Sequence, residues 1–117
     1  MNRSGHRRRA LAAAALALAA LGAVAVAVAV AADRAGTSHE VVMQAVQFAP
    51  ATLKVKRGDT VIWTNRDPFP HTATAAGIFD SKPIDEGRTF RWRADRAGTI
   101  AYVCSLHPTM RGTLEVE

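Results

Sequence analysis

Cysteine occurs once in these 117 residues, as Cys104, so no disulfide within the chain can staple the fold. Acidic groups are absent before Asp33 and aromatic ones before Phe48. The formal net charge of +5 therefore has two unrelated parts: Arg3, Arg7, Arg8 and Arg9 supply four of the fifteen basic residues, and beyond residue 32 eleven bases face all ten acids. That remainder is nearly neutral and has no run of consecutive basic residues beyond a pair, which removes the electrostatic footing for nucleic-acid binding. It also has no helical hydrophobic stripe, no internal repeat and no low-complexity tract. The length allows one small domain, and an 85-residue remainder carrying every aromatic side chain is marginal but sufficient to fold without staples.

What the first 32 residues do contain is a basic n-region followed by an uncharged stretch, Leu11 to Ala32, in which thirteen of 22 residues are Ala. This is the pattern of a secretory signal or a membrane anchor, expected as an apolar helix outside the folded unit. Twenty-two residues are enough to span a bilayer, so length leaves cleavage and retention open. The weakly apolar alanines and the small residues before Asp33 favour cleavage. The run Arg7-Arg8-Arg9 fits either an ordinary charged n-region or a twin-arginine export signal. Either way the remainder is expected outside the cytoplasm, in the periplasm or on the outer face of the membrane, with residues 11–32 as its tether if they are kept. Residues 33–40 have no periodicity and read as a short tether, so the expected organisation is 1–32 signal or anchor, 33–40 tether and 41–117 folded domain.

Within 41–117 the dominant signal is alternation. Leu53 and Val55 alternate with lysines, Phe90 and Trp92 with arginines, and Leu114 and Val116 with glutamates, each the pattern of a strand with one wet face. Thr60 to Thr64 and Thr99 to Cys104 are β-branched and more continuously apolar, as central strands are. Turn chemistry separates these segments at Arg57-Gly58-Asp59, Asn65-Arg66-Asp67-Pro68, Glu86-Gly87 and Ala97-Gly98. Residues 73–84 are the least regular and have room for one helical turn. Short, closely spaced strands predict an all-β domain, a small antiparallel sandwich or barrel.

An unpaired thiol in an oxidising compartment needs an occupant. A lone cysteine is more often a buried small hydrophobe or half of an intermolecular disulfide, but Cys104 ends a predicted strand and is followed by Ser105-Leu106-His107-Pro108-Thr109-Met110. Thiolate, imidazole and thioether thus recur at every third residue, and these are the donors of a soft copper site, two His and one Cys with a weak axial Met. The second histidine has to come from elsewhere. Of the four in the chain, His6 lies in the signal and His39 in the tether, which leaves His71. Alone it would read as a surface or hydrogen-bonded histidine. Strand parity places Ile100, Tyr102 and Cys104 on one face, so the thiolate is expected to emerge from the apolar interior.

These residues resemble the cupredoxins, the type 1 blue copper proteins, over Val41 to Glu117. Phe48 to Asn65 is similar to the first strands of that family, and Pro70-His71 and Tyr102-Val103-Cys104 through Met110 to its copper loops. The spacing Cys-x2-His-x2-Met resembles the short loop of the amicyanin-like subgroup, whereas plastocyanin-like members have more residues between His and Met. The resemblance implies a Greek-key β-sandwich and one copper ion bound by His71, Cys104 and His107 with Met110 axial. It also implies electron entry and exit near His107, inside an apolar patch to which Phe69, Pro70, Leu106 and Pro108 are candidates. One departure concerns Thr72, where the family often has an asparagine that braces the cysteine loop.

The expected function is a monomeric, extracytoplasmic single-electron carrier without a substrate of its own, docking redox proteins near His107. Arg66, Arg88 and Arg111 would favour an acidic partner surface if they lie at that end. Copper storage or delivery is the alternative, motivated by His39 and Met43 as a weaker auxiliary donor pair, although a tether histidine and a strand methionine account for them more simply. Enzymatic copper chemistry needs further histidines, and His71 and His107 exhaust those of the domain. A structural zinc site is disfavoured because zinc seldom recruits Met.

Overall fold

The computed structural model describes residues 36–117, all in β-strands, turns and short connections. Nine strands follow in order: β1 Ser38–Gln44, β2 Gln47–Ala49, β3 Thr52–Val55, β4 Thr60–Asn65, β5 Thr74–Ala75, β6 Phe79–Asp80, β7 Thr89–Arg93, β8 Gly98–Cys104 and β9 His107–Val116. They form two sheets, with strand orders β2-β1-β4-β7 and β3-β9-β8-β5-β6. The two segments expected to be central, β4 and β8, lie inside their sheets. Among the described residues no helix is long and apolar enough to cross a membrane. The signal or anchor expected at 1–32 lies outside the described residues.

Alternation decides which side chains enter the core. In β4, Val61, Trp63 and Asn65 point inward, and in β8 Ile100, Tyr102 and Cys104 do. Trp63 is fully buried and sits 5.5 Å from both Phe90 and Tyr102 and 5.2 Å from Phe79, ring centre to ring centre. Fully burying one large apolar side chain is worth about 1.5–3 kcal/mol, so this aromatic cluster is the main tie between the sheets. On the edge strand β7, Phe90 and Trp92 face the same core opposite Trp63 and Val61 but stay half-buried, because among the described residues no further strand pairs beyond β7. Tyr102 lies across from Gly112 with its ring where a side chain would be: a Cβ at 112 would come within 2.2 Å of the ring carbon Cζ. Only glycine fits beneath that ring.

Three expectations are corrected. The sandwich is not wholly antiparallel, since β1 pairs with β4 and β3 with β9 in parallel. The cause is the chain's passage from one sheet (β1, β2) to the other (β3) and back (β4), which returns β4 in the direction of β1. The tether does not reach residue 40: Ser38, His39 and Glu40 are the first residues of β1 and pair with Thr60, Val61 and Ile62. His39 there faces the same side as buried Val41 and Met43, and its ring meets Asp59, so a polar residue occupies an inward position. Residues 73–84 hold no helical turn; they form the two-residue strands β5 and β6, and Ile84 bridges His71.

The hairpin joining β1 and β2 has only Ala45 and Val46 between paired Gln44 and Gln47. Both residues have positive φ, 53° and 56°. This is the signature of a type I′ turn, a geometry for which Asn-Gly is the favoured pair. For alanine and a β-branched valine it costs on the order of 1–2 kcal/mol per residue.

Candidate metal centre

His71 leaves β4 by a loop that is fastened at both ends. Asn65, fully buried at the end of β4, donates through Nδ2 to the carbonyls of Phe69 (2.9 Å) and Ile84 (2.8 Å), while its Oδ1 accepts the Asp67 N–H at 2.9 Å. His71 exchanges backbone bonds with Ile84 in both directions, at 3.2 and 2.7 Å. The ring of His71 is wholly buried, and its Nε2–H donates to Asp67 Oδ2 at 2.7 Å. Asp67 also accepts the N–H groups of Ala45 (2.8 Å) and Val46 (2.9 Å). Burial raises the Asp67 carboxyl, but the Val46 N–H, the His71 ring and the Ala45 N–H outweigh it and hold it below its ordinary value of 3.8. An ionised carboxylate only accepts, so a neutral His71 ring carries its proton on Nε2 and its lone pair on Nδ1.

That lone pair points to the other half of the site. Cys104 ends β8 with its side chain fully buried, and the ladder to β9 breaks there: Val103 pairs with Arg111 but Cys104 with His107. The irregularity pushes Pro108 to Met110 out of the ladder, as bulges do, so His107 and Met110 belong to the start of β9 rather than to a free loop. Nδ1 of His71 is 3.8 Å from Cys104 Sγ, Nδ1 of His107 is 3.6 Å from it, and the two Nδ1 atoms are 3.2 Å apart. A trigonal ion with bonds of about 2.0 Å to nitrogen and 2.3 Å to sulfur needs donors about 3.5 Å and 3.7 Å apart. The three atoms therefore fit one ion of that size. Among the described residues this is the one group of three such donors gathered within 4.8 Å. Met110 faces inward on β9 and is 2% exposed.

Thr72 takes over the bracing that its neighbours require. Its backbone N–H donates to Cys104 Sγ at 3.3 Å, and its hydroxyl oxygen accepts the Ser105 N–H at 2.8 Å and lies 3.0 Å from the Ser105 hydroxyl. Threonine thus braces the cysteine loop at the position where the cupredoxins often have asparagine. Around the rim, Phe69 (39% exposed) and Leu106 (48% exposed) flank half-buried His107, and the Phe69 ring centre is 5.2 Å from that of His71 and 5.6 Å from that of His107. Pro70 and Pro108 are exposed beside them.

The sequence reading brought together His71, Cys104 and His107, and missed Asn65, Asp67 and Ser105. Asn65 and Asp67 were legible only as turn residues, and the amides that complete Asp67 lie more than twenty positions upstream. His39 and Met43 do not make a second donor group. Met43 is enclosed in the core, His39 Nε2 is bound to Asp59 Oδ2 at 2.9 Å, and four residue steps along β1 separate them by about 13 Å.

Comparison with known proteins agrees with this geometry. The profile of the family described as "Cupredoxin-like domain" matches residues 11–116. The chain is 32% identical to the amicyanin of Paracoccus denitrificans over 93 residues, covering 74% of this chain and 71% of that one. It is 30% identical to amicyanin-alpha of Methylorubrum extorquens over 86 residues, covering 68% and 72%. A solved Cu(I) structure of an amicyanin variant superposes with a TM-score of 0.66 at 30% identity, over 68% of this chain and 82% of that one. A copper-containing nitrite reductase of Thermus scotoductus also superposes, TM-score 0.63 at 27% identity, over 67% of this chain but only 22% of the enzyme's.

Proposed function

This chain belongs to the cupredoxin-like family, and on that premise we propose that it carries single electrons between redox proteins outside the cytoplasm, through one copper ion that His71, Cys104 and His107 would hold with Met110 as a fourth, weaker donor. The observation that carries this reading is the convergence of two imidazole nitrogens and one thiol sulfur at the spacing of a single trigonal ion. Bound copper supplies the one-electron couple. The remaining chemistry belongs to the chain: Cys104 would supply the soft sulfur donor, the Asp67 carboxylate holds the His71 ring by its Nε2, and the Thr72 N–H donates to the sulfur, which would draw charge from it.

His107 is the donor nearest to solvent. Its half-exposed edge lies among Phe69, Pro70, Leu106 and Pro108, an apolar rim on which a partner protein can seat without having to desolvate charges. Arg66 and Arg88 lie on this end of the sandwich: Arg88 O accepts the Asn65 N–H, and Arg66 N–H bonds to Met43 O. With Arg111 beside Met110 they favour an acidic partner. Residues 11–32 deliver the domain across the membrane and either remain as its tether or are removed, and 41–117, together with the start of β1, act as a monomeric unit.

Copper loading of the purified protein, followed by visible spectroscopy and redox titration, tests the proposal. An intense blue charge-transfer band that bleaches reversibly on one-electron reduction is expected. A copper-loaded protein without that band would refute the type 1 assignment.

A further inference from the structure

The Asp67 carboxylate is reached by two amides from a turn that its own side chains disfavour. Ala45 and Val46 both sit in the left-handed region, which in a two-residue hairpin normally calls for Asn-Gly. Local preference therefore does not explain the turn. What it achieves is visible at its amides, for consecutive N–H groups of a left-handed turn point the same way, and here they meet Oδ1 and Oδ2 of Asp67 at 2.8 and 2.9 Å. Asp67 has one further strong partner, the Nε2–H of His71 at 2.7 Å, and its own N–H is taken by Asn65. A strained backbone kept in place by surrounding structure is the pattern of an element that positions something else.

We propose that the left-handed Ala45–Val46 turn is a positioning element of the metal centre: its two amides fix the Asp67 carboxylate, and Asp67 fixes the His71 ring with Nδ1 aimed at Cys104 and His107. Half of the site is thereby set before any ion arrives. The proposal rests on His71 being a ligand, as argued above. It assigns the role to the backbone amides and not to the Ala45 and Val46 side chains, so Asn-Gly at these positions, which favours the same turn, preserves the arrangement. Asp67 acts through His71 and touches no metal.

The metal-free full chain decides this by ¹⁵N NMR of the histidine rings. His71 is expected as a single Nε2–H tautomer whose ring proton exchanges slowly with water. Inserting two glycines between Ala45 and Val46, a change that a hairpin turn at the surface tolerates, should abolish the single tautomer and weaken copper binding roughly ten- to a hundredfold. Asp67→Asn should do the same, and should raise the reduction potential because His71 loses electron density from the carboxylate. The Ala45→Asn/Val46→Gly pair should keep the tautomer and the affinity. An Nδ1–H tautomer in the parent protein, or an insertion that leaves the His71 signal and the affinity untouched, overturns the proposal. The NMR arm uses no metal, so it stands even where the blue band fails to develop, and the insertion decides the matter if Asp67→Asn does not fold.

Discussion

Thr72 and Ser105, 33 residues apart, fasten the two halves of the centre: the Thr72 hydroxyl oxygen accepts the Ser105 N–H at 2.8 Å while the Thr72 N–H reaches the neighbouring Cys104 sulfur at 3.3 Å. Thr72→Val keeps shape and the backbone donor to sulfur but leaves the Ser105 amide without its acceptor. The cost should be about 1–3 kcal/mol, read as a lower urea midpoint of the metal-free protein with unchanged slope. Thr72→Asn, which offers a side-chain acceptor again, should recover most of it.

Met110 differs from the other donors in chemistry and in expected effect. Met110→Gln should retain copper and the blue band but lower the reduction potential, since an amide oxygen favours the harder Cu(II) state over Cu(I). Cys104→Ser should remove the band altogether. Redox titration and visible spectra of the two variants separate an axial from an equatorial role, and a Cys104→Ser protein that stays blue would displace Cys104 from the ligand set.

Tyr102 is the chain's one tyrosine, and among the described residues its buried hydroxyl has no hydrogen-bond partner, although Trp63 stands edge-on to its ring. Removing an unpaired buried hydroxyl is close to neutral, so Tyr102→Phe should change the unfolding free energy by less than about 1 kcal/mol at pH 7. Burial pushes the phenol up from 10.0 to about 12. A raised folded-state value gives stability that is complete below pH 10 and lost as pH rises toward 12, because the unfolded chain releases its proton first. Ultraviolet titration should show no phenolate below about pH 11, and Tyr102→Phe should flatten this alkaline loss. Gly112→Ala, in contrast, should destabilise by roughly 1–3 kcal/mol or more, because its Cβ would overlap the Tyr102 ring.

Asp59 governs the acid side at the opposite end of the sandwich. The Lys56 N–H and the His39 ring, with the Thr37 N–H, hold its carboxyl below 3.8 against the opposing effect of burial. A depressed folded-state value gives stability that is present above pH 3.8 and lost as pH falls through the lower folded value. Urea midpoints measured from pH 6 to pH 2 should therefore drop below about pH 4, and Asp59→Asn should be less stable at pH 6 with a shallower acid limb. An equally steep limb in Asp59→Asn would shift the effect to other carboxylates such as Asp67 and Asp80.

Local alternation was enough to read β3, β7 and the last residues of β9, β-branched apolar runs were enough to read β4 and β8, and donor spacing was enough to find Cys104 and His107, because these signals are carried by neighbours in sequence. His71 came from elimination among four histidines. What sequence concealed was non-local. His39 looked like tether because a polar residue at an inward position breaks the strand pattern, and only its meeting with Asp59, twenty residues on, explains it. The parallel pairing of β1 with β4 depends on a sheet crossing that no dipeptide announces. Asp67 was hidden by good turn chemistry, and Ala45-Val46 by its poverty, since no propensity predicts a left-handed turn there.

The parallel register of β1 on β4 also determines how the protein is presented. Ser38 lies beside Thr60 and Met43 beside Asn65, so the chain enters the sandwich at the end away from His71, about 20 Å back along the strands. Whatever precedes Gly36 thus leaves from the pole opposite the metal centre. A protein held at its upstream end would stand on that pole with His107 facing away from the surface that holds it, free to meet partners arriving from solution, and one released from that end would meet them by the same face.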